Sequence, residues 1–187
     1  MDRTEQRYAI FETAQGHCAI AWSAKGVTRF RLPQSSAKAA ERGLRRALPQ
    51  AMPGNPPPGI ALAIEGAKRY FAGERVDFSG VPVDLGRQTE LFEKIYDAAR
   101  RLGWGETATY GALAKQFGDD WEIARDVGQA MAKNPVPLIV PCHRVLAAGG
   151  KIGGFSAPGG AATKARMLEL EGVRVAADDP AQPSLPI

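Results

Sequence analysis

The sequence predicts an α/β protein in two parts, an N-terminal α/β region over residues 1–86 and a mainly helical region over residues 87–175. In the first part, short apolar stretches with β-branched and aromatic residues alternate with turn-forming residues, as in short strands. From Arg87 onward, apolar residues recur at the three- and four-residue spacing of helices. A chain of 187 residues can bury one sizeable core or two small ones.

The N-terminal part opens with three predicted strands of a meander, Tyr8–Thr13, His17–Trp22 and Val27–Leu32. Ser36 is suited to cap a helix over Ala37–Ala47, because its short side chain can accept a hydrogen bond from the first turn.

A proline-rich run, Pro49–Pro58, interrupts this part and predicts a surface loop, because proline lacks the N–H that regular structure needs. A second helix is predicted over Ile60–Phe71. Val76–Phe78 and Val81–Val83 then predict a last strand that leads into a linker at residues 84–86.

The second part begins with a predicted helix from Leu91 to Leu102, capped by Thr89 and ended by Gly103. Two further helices follow.

Thr109 is suited to cap the first of them, which ends at Gly118, and Asp119 or Asp120 the second, Trp121–Lys133. Their succession predicts a helix-turn-helix, although simple packing of two helices is the commoner meaning of such a pattern.

The chemistry concentrates in Pro141–Val145, where one of two cysteines, Cys142, adjoins one of two histidines, His143. A thiol attacks as thiolate, and a neighbouring imidazole assisted by a carboxylate is the usual way to form one at neutral pH. The alternative is a buried core thiol after a hydrophobic strand. The proline before it and the His-Arg pair after it argue against that alternative, because ionisable groups are costly to bury unpartnered.

Three blocks resemble the O6-alkylguanine-DNA alkyltransferase family: Gly105–Gly111, Asn134–Val145 and Leu168–Gly172. The resemblance covers about the second half of the chain. It implies an N-terminal domain similar to ribonuclease H without its catalysis, and a C-terminal domain with a winged-helix-like helix-turn-helix. It also implies irreversible, single-use transfer of an alkyl group from O6 of guanine in DNA to Cys142, with O4-alkylthymine as a further substrate. Alkyltransferase-like proteins of this kind carry tryptophan at the cysteine position, so Cys142 permits transfer.

The resemblance assigns the second helix of the helix-turn-helix to the DNA minor groove. It identifies Arg125 as the finger that fills the stack when the damaged nucleotide rotates out. Ala124 and Gly128 allow close approach of the helix, and Thr109 and Tyr110 join the DNA contacts. An exposed arginine paired with Asp126 or Glu122 is the alternative for Arg125.

The catalytic roles are implied in the same way. Glu171 orients His143, which acts on Cys142 through a bridging water and is favoured in its protonated form. Tyr110 donates toward a guanine ring nitrogen, and Asn134 is a hinge with local hydrogen bonds. For the substrate pocket the resemblance indicates Pro137, Val145, Gly153, Phe155 and Ser156.

Composition agrees with a DNA partner, since 24 Lys and Arg against 20 Asp and Glu give a net charge of +4. No signal peptide or membrane span is predicted, which favours a cytoplasmic protein. A monomer is expected. Two distant cysteines predict no disulfide. His17 and Cys18 are too few for a tetrahedral metal site, so neither a metal nor a cofactor is expected.

The chain departs from the family at Asp126, a negative charge beside the finger, at Trp121, and in a longer segment over residues 155–160. These departures keep a second function open, a lesion-binding or regulatory module with weak or no transfer. Residues 176–187 predict a flexible tail.

Overall fold

The N-terminal half is built on a four-stranded sheet in the computed structural model, which describes residues 5–118 and 120–175. Strands β1 (Arg7–Thr13), β2 (Gly16–Ser23) and β3 (Gly26–Gln34) form the predicted antiparallel meander. A two-residue strand, β4 (Met52–Pro53), pairs in parallel with β1, giving the order β3-β2-β1-β4.

Two helices cover the two faces of this sheet. Helix α1 (Ala37–Ala47) has the predicted cap, with Ser36 accepting from the amide of Ala39. It buries Ala40 and Leu44 in a small cluster on one face. Helix α2 (Pro58–Phe71) packs its apolar side into the larger core on the other face.

The predicted last strand over residues 76–83 is wrong. Pairing is confined to an isolated bridge between Val27 and Val83, with Val27 donating to the carbonyl of Pro82 at 2.9 Å. The reason is local: Pro82 has no N–H to donate, and a turn from Phe78 to Val81 breaks the extended chain. The proline run is irregular as predicted, apart from β4 and Pro58, the first residue of α2.

The C-terminal half is mainly helical. Its helices are α3 (Glu90–Arg100), α4 (Tyr110–Ala114), α5 (Trp121–Lys133) and α6 (Gly160–Leu170). Short strands β5 (Ala108–Thr109) and β6 (Val145–Leu146) pair in parallel.

The predicted helices are present, but some of their ends differ from the prediction. Thr89 and Thr109 cap α3 and α4 as predicted, but α3 ends at Arg100 and α4 at Ala114, before the glycines expected to stop them. Asp120 occupies the cap position of α5 without a side-chain bond, and Asp119 lies outside the described residues. The predicted tail, 176–187, also lies outside them.

The two halves share one apolar core. Its buried residues come from the sheet and α2 in one half and, in the other, mainly from α3, α4, α5 and the segment around Val136–Val140. A backbone bond from Phe30 on β3 to the carbonyl of Pro135, 3.0 Å long, joins the halves directly. Within the described residues no helix is both long and apolar enough to span a bilayer.

Candidate active site

A buried apolar turn delivers Cys142 to its position. The run from Val136 to Val140 is not a strand but a tight turn in which Leu138 has φ of +80°. Asn134 fixes this turn from both sides: its Nδ2 donates to the carbonyl of Val140 at 2.8 Å, and its Oδ1 accepts from the amide of Val136 at 3.0 Å. A left-handed backbone conformation is strained at leucine, and the two hydrogen bonds of Asn134 stabilise the turn that contains it.

Cys142 opens a single 3₁₀ turn over Cys142–Arg144 and is 4 % exposed. Burial raises the pKa of its thiol, while a hydrogen bond from Asn134 and the charge of Lys164 oppose the rise. The sulfur therefore rests as a neutral thiol at neutral pH and needs a base to become a nucleophile.

His143 is fully buried and pairs with Glu171, its Nε2 lying 2.7 Å from Oε1 of the carboxylate. Because an ionised carboxylate only accepts, Nε2 carries the ring proton and Nδ1 presents a lone pair. Nδ1 is buried and has no partner among the described residues. The imidazole is thus set up as a base.

The expected protonated form of His143 is not the favoured one. Burial lowers the pKa of this imidazole, and the opposing effect of Glu171 is smaller. The neutral ring therefore dominates at neutral pH.

Glu171, the residue at the end of α6, has the most partners in the site. The guanidinium of Arg144 binds it with two 2.9 Å bonds, and the amide of Gly105 donates at 3.1 Å. Burial alone would raise the pKa of this carboxyl, but the hydrogen bonds from His143 and Arg144, with the positive charge of Arg144, lower it to about 2. Glu171 is therefore a fixed anion.

Tyr70 enters the same network from α2. Its hydroxyl donates to Oε1 of Glu171 at 2.8 Å and lies 3.3 Å from Nε2 of His143. The catalytic and pocket residues predicted from the sequence all lie in the C-terminal half, so Tyr70 adds the N-terminal half to the site. Helix periodicity placed Tyr70 in a helix, but no sequence signal linked it to a glutamate 101 residues away.

Lys164 of α6 is a second residue that the sequence reasoning missed. It is fully buried, donates to the carbonyl of Val145 at 2.5 Å, and its ammonium lies 5.5 Å from the ring centre of Tyr110. Burial lowers its pKa to about 8. Burial, and then the nearby Cys142, raise the pKa of Tyr110 to about 12.

A pocket of about 330 Å³ has Cys142 in its wall. Asn134, Pro137, Phe155 and Ser156 line it too, as expected for the last three.

Val145 and Gly153 do not line this pocket. Val145 is fully buried, and Gly153 packs against Tyr110 and Ala147. A larger groove of about 970 Å³ runs past Arg144 but excludes the sulfur, so it is not the reaction site.

Helices α4 and α5 contact each other, and Val127, Ala130 and Met131 are buried on the inward side of α5. Arg125 is exposed, and its guanidinium lies 5.2 Å from the ring centre of Trp121, which is itself 71 % exposed. It forms no ion pair with Asp126 or Glu122. Ala124 and Gly128 are half-buried, and Thr109 serves as the cap of α4.

No group of three or more His, Cys, Asp or Glu side chains suited to a metal occurs in the part of the chain that the structure describes. His17 and Cys18 lie next to each other on β2, and burial raises the pKa of the Cys18 thiol.

A buried cysteine next in sequence to a buried histidine–glutamate pair defines a protein built around one nucleophilic thiol. Residues 90–173 match the family described as 6-O-methylguanine DNA methyltransferase, DNA binding domain. The methylated-DNA--protein-cysteine methyltransferase of Mycobacterium tuberculosis is 42 % identical over 124 residues, covering 66 % of this chain and 72 % of that one. The chain belongs to this methyltransferase family.

Two other similarities agree with this assignment. A DNA base-flipping protein of Thermus thermophilus is 38 % identical over 133 residues, which cover 70 % of this chain and 87 % of that protein. The crystal structure of Mycobacterium tuberculosis OGT in complex with DNA superposes with a TM-score of 0.68 at 32 % identity, covering 89 % of this chain and 93 % of that one.

Proposed function

We propose that this protein repairs DNA by moving an alkyl group from O6 of guanine to the sulfur of Cys142, once per molecule. The observation that carries the proposal is the position of Cys142 in a pocket wall, next in sequence to a neutral imidazole that Glu171 holds. The sulfur–carbon bond forms as the carbon–O6 bond breaks, and the product is a thioether.

The resting protonation states, a neutral thiol and a neutral imidazole, set the starting point of the proton path. The neutral Nδ1 of His143 takes the thiol proton of Cys142 through one bridging water, because adjacent side chains diverge. The imidazolium that forms is stabilised by the anionic Glu171. Tyr110 donates a proton toward a ring nitrogen of the leaving guanine, which would otherwise depart as an anion. The charge of Lys164 beside the Tyr110 ring supports this donation.

Glu171 works as part of a cluster. Arg144, Tyr70 and the amide of Gly105 fix its two oxygens, so its direction toward His143 is set before substrate arrives. Asn134 sets the turn that presents Cys142.

The DNA partner is duplex DNA carrying O6-alkylguanine, bound by α5 in the minor groove, by one protein molecule. Ala124 and Gly128 have no large side chain, so the surface of α5 can approach the DNA closely. Arg125 enters the stack as the damaged nucleotide rotates out, and its exposed position beside Trp121 supports this role. O4-alkylthymine offers the same alkyl–oxygen bond and is a second substrate. We also infer a ribonuclease H-like unit over residues 1–86 and a DNA-binding unit over residues 87–175.

The test is the intact mass of the protein after incubation with a duplex oligonucleotide that contains O6-methylguanine. The expected result is a gain of one methylene, located on Cys142, with stoichiometry near one. Cys142→Ser should gain nothing and keep its affinity for the duplex, because the hydroxyl is a far poorer nucleophile and α5 is unchanged. An unmodified wild type that still binds the lesion would favour the lesion-binding alternative.

A further inference from the structure

Two arginines of β3, Arg29 and Arg31, lie beside the reaction pocket. Alternate residues of a strand face the same side, and β3 is an edge strand of the sheet. Both side chains therefore leave the sheet on the α1 side, at the edge that borders the pocket. A Cβ atom built on Gly43 of α1 would lie 2.9 Å from a terminal nitrogen of Arg31. Both arginines line the pocket of about 330 Å³ that also contains Cys142.

These two cations lack the partners that other arginines of the fold have. The Nε atoms of Arg29 and Arg31 are buried without a hydrogen-bond partner. In contrast, Arg144 binds Glu171 and Arg69 binds Glu74. Within residues 5–118 and 120–175, no carboxylate forms an ion pair with either side chain. Partly burying an unpaired cation costs free energy, which an anion would recover.

Like charges gather at the same place. Burial lowers the pKa of Arg29, and the charge of Arg31 adds to the effect. Burial and then the charge of Arg46 lower the pKa of Arg31. Lys133, at the end of α5, lines the same pocket. Because arginine keeps its proton, this is a concentrated positive region continuous with the pocket.

The shape of the guanidinium decides which anion fits. Its planar fork matches a phosphate, with two parallel bonds to two oxygens. A nucleotide whose base reaches Cys142 brings the phosphodiester groups of its own strand to the same pocket.

We propose that Arg29 and Arg31 bind phosphodiester groups of the DNA strand that carries the damaged nucleotide. The N-terminal sheet is then part of the DNA interface, together with α5. This inference rests on the proposed function, because the entry of a nucleotide identifies the anion.

The experiment compares Arg29→Gln/Arg31→Gln with the parent chain in a Cys142→Ser background, which prevents covalent capture. Affinity for a duplex containing O6-methylguanine is measured over a series of salt concentrations. The slope of log K against log salt should become shallower by about one to two, since each phosphate contact contributes about 0.9. At moderate salt the affinity should fall roughly tenfold.

Three comparisons separate this site from a structural role. Arg7→Gln removes an arginine of the same sheet that pairs with Glu5, and it should leave the slope unchanged. Arg29→Lys/Arg31→Lys should restore most of the slope. The far-UV circular dichroism spectrum of the Gln variant should match that of the parent chain, which excludes loss of the fold as the cause of weaker binding. An unchanged slope, or a Lys variant with the same slope as the Gln variant, would overturn the proposal, whereas a wild type that accepts no methyl group refutes the proposed function instead.

Discussion

At the scale of single residues, Glu171 holds the site together through its charge. The substitution Glu171→Gln removes the anion that pairs with both Arg144 and His143. Alkyl transfer should slow by about ten- to a hundred-fold, because the imidazolium formed in the reaction loses its partner. Rapid-quench measurement of the thioether gives the rate. Glu169→Gln, an exposed glutamate of the same helix, is the control, and an equal rate in both variants would contradict the role of Glu171.

The same substitution should change stability in acid. The Glu171 carboxyl has a folded pKa of about 2 against an ordinary 4.5, so its stabilisation is complete above about pH 4.5 and is lost as pH falls toward 2. This difference corresponds to roughly 3 kcal/mol. Acid unfolding followed by circular dichroism should therefore begin at higher pH in Glu171→Gln, and curves that coincide with the wild type would show that the charge is not linked to folding.

Tyr70 provides a test that separates positioning from packing. Tyr70→Phe removes a donor to Oε1 of Glu171 and leaves the carboxylate a stronger acceptor for His143. The pKa of His143 should rise, and because the neutral ring accepts the proton, the acid limb of the rate–pH profile should move up by about half to one pH unit. Tyr8→Phe, which removes a tyrosine–glutamate bond elsewhere, should leave the limb in place. A lowered melting temperature with an unmoved limb would mean that Tyr70 only packs.

At the scale of elements, helix α5 is expected to act on the nucleotide and not on the chemistry. Arg125→Ala should slow repair of duplex DNA by roughly ten- to a hundred-fold, since unstacking a base costs a few kcal/mol. Reaction with free O6-benzylguanine needs no flipping and should be unaffected. Transfer rates on duplex, single-stranded and free-base substrates provide the measurement, and Arg125→Lys tests whether charge alone suffices. Equal losses on all three substrates would assign the finger to another residue, Trp121 first.

Local signals predicted most of these elements and explain where prediction failed. The β1–β3 meander, α1 with its Ser36 cap and α5 depend on alternation, capping and periodicity, all readable within a short window. The prediction of a strand over residues 76–83 was wrong because Pro82 and a neighbouring turn prevent strand pairing there, despite the apolar pattern. The left-handed turn at Leu138 had no local signal, because the fold around it and Asn134 impose it.

The site divides in the same way. Cys142, His143 and Glu171 stand in motifs and could be found from sequence, whereas Tyr70 and Lys164 could not. Tyr70 depends on α2 meeting the end of α6 at Glu171, and Lys164 depends on α6 meeting Val145 of β6. No residue spacing encodes such contacts.

At the scale of the whole molecule, the shared core predicts that the two halves unfold together. Trp22 is buried in the N-terminal sheet, and Trp104 packs edge-on against Tyr70, with ring centres 5.4 Å apart. Denaturation followed by tryptophan fluorescence and by far-UV circular dichroism should give one coincident transition. Two separated transitions, or a fragment of residues 87–187 that folds alone, would contradict this expectation.

The burial of Cys142 has a consequence for the working life of the protein. A molecule that reacts once must keep its thiol unreacted until it binds a lesion. Oxidants such as hydrogen peroxide attack thiolates that solvent can reach, and this sulfur is neither ionised at rest nor exposed. Burial makes Cys142 require His143 as a base, and the same burial therefore protects the thiol from oxidation before it reacts.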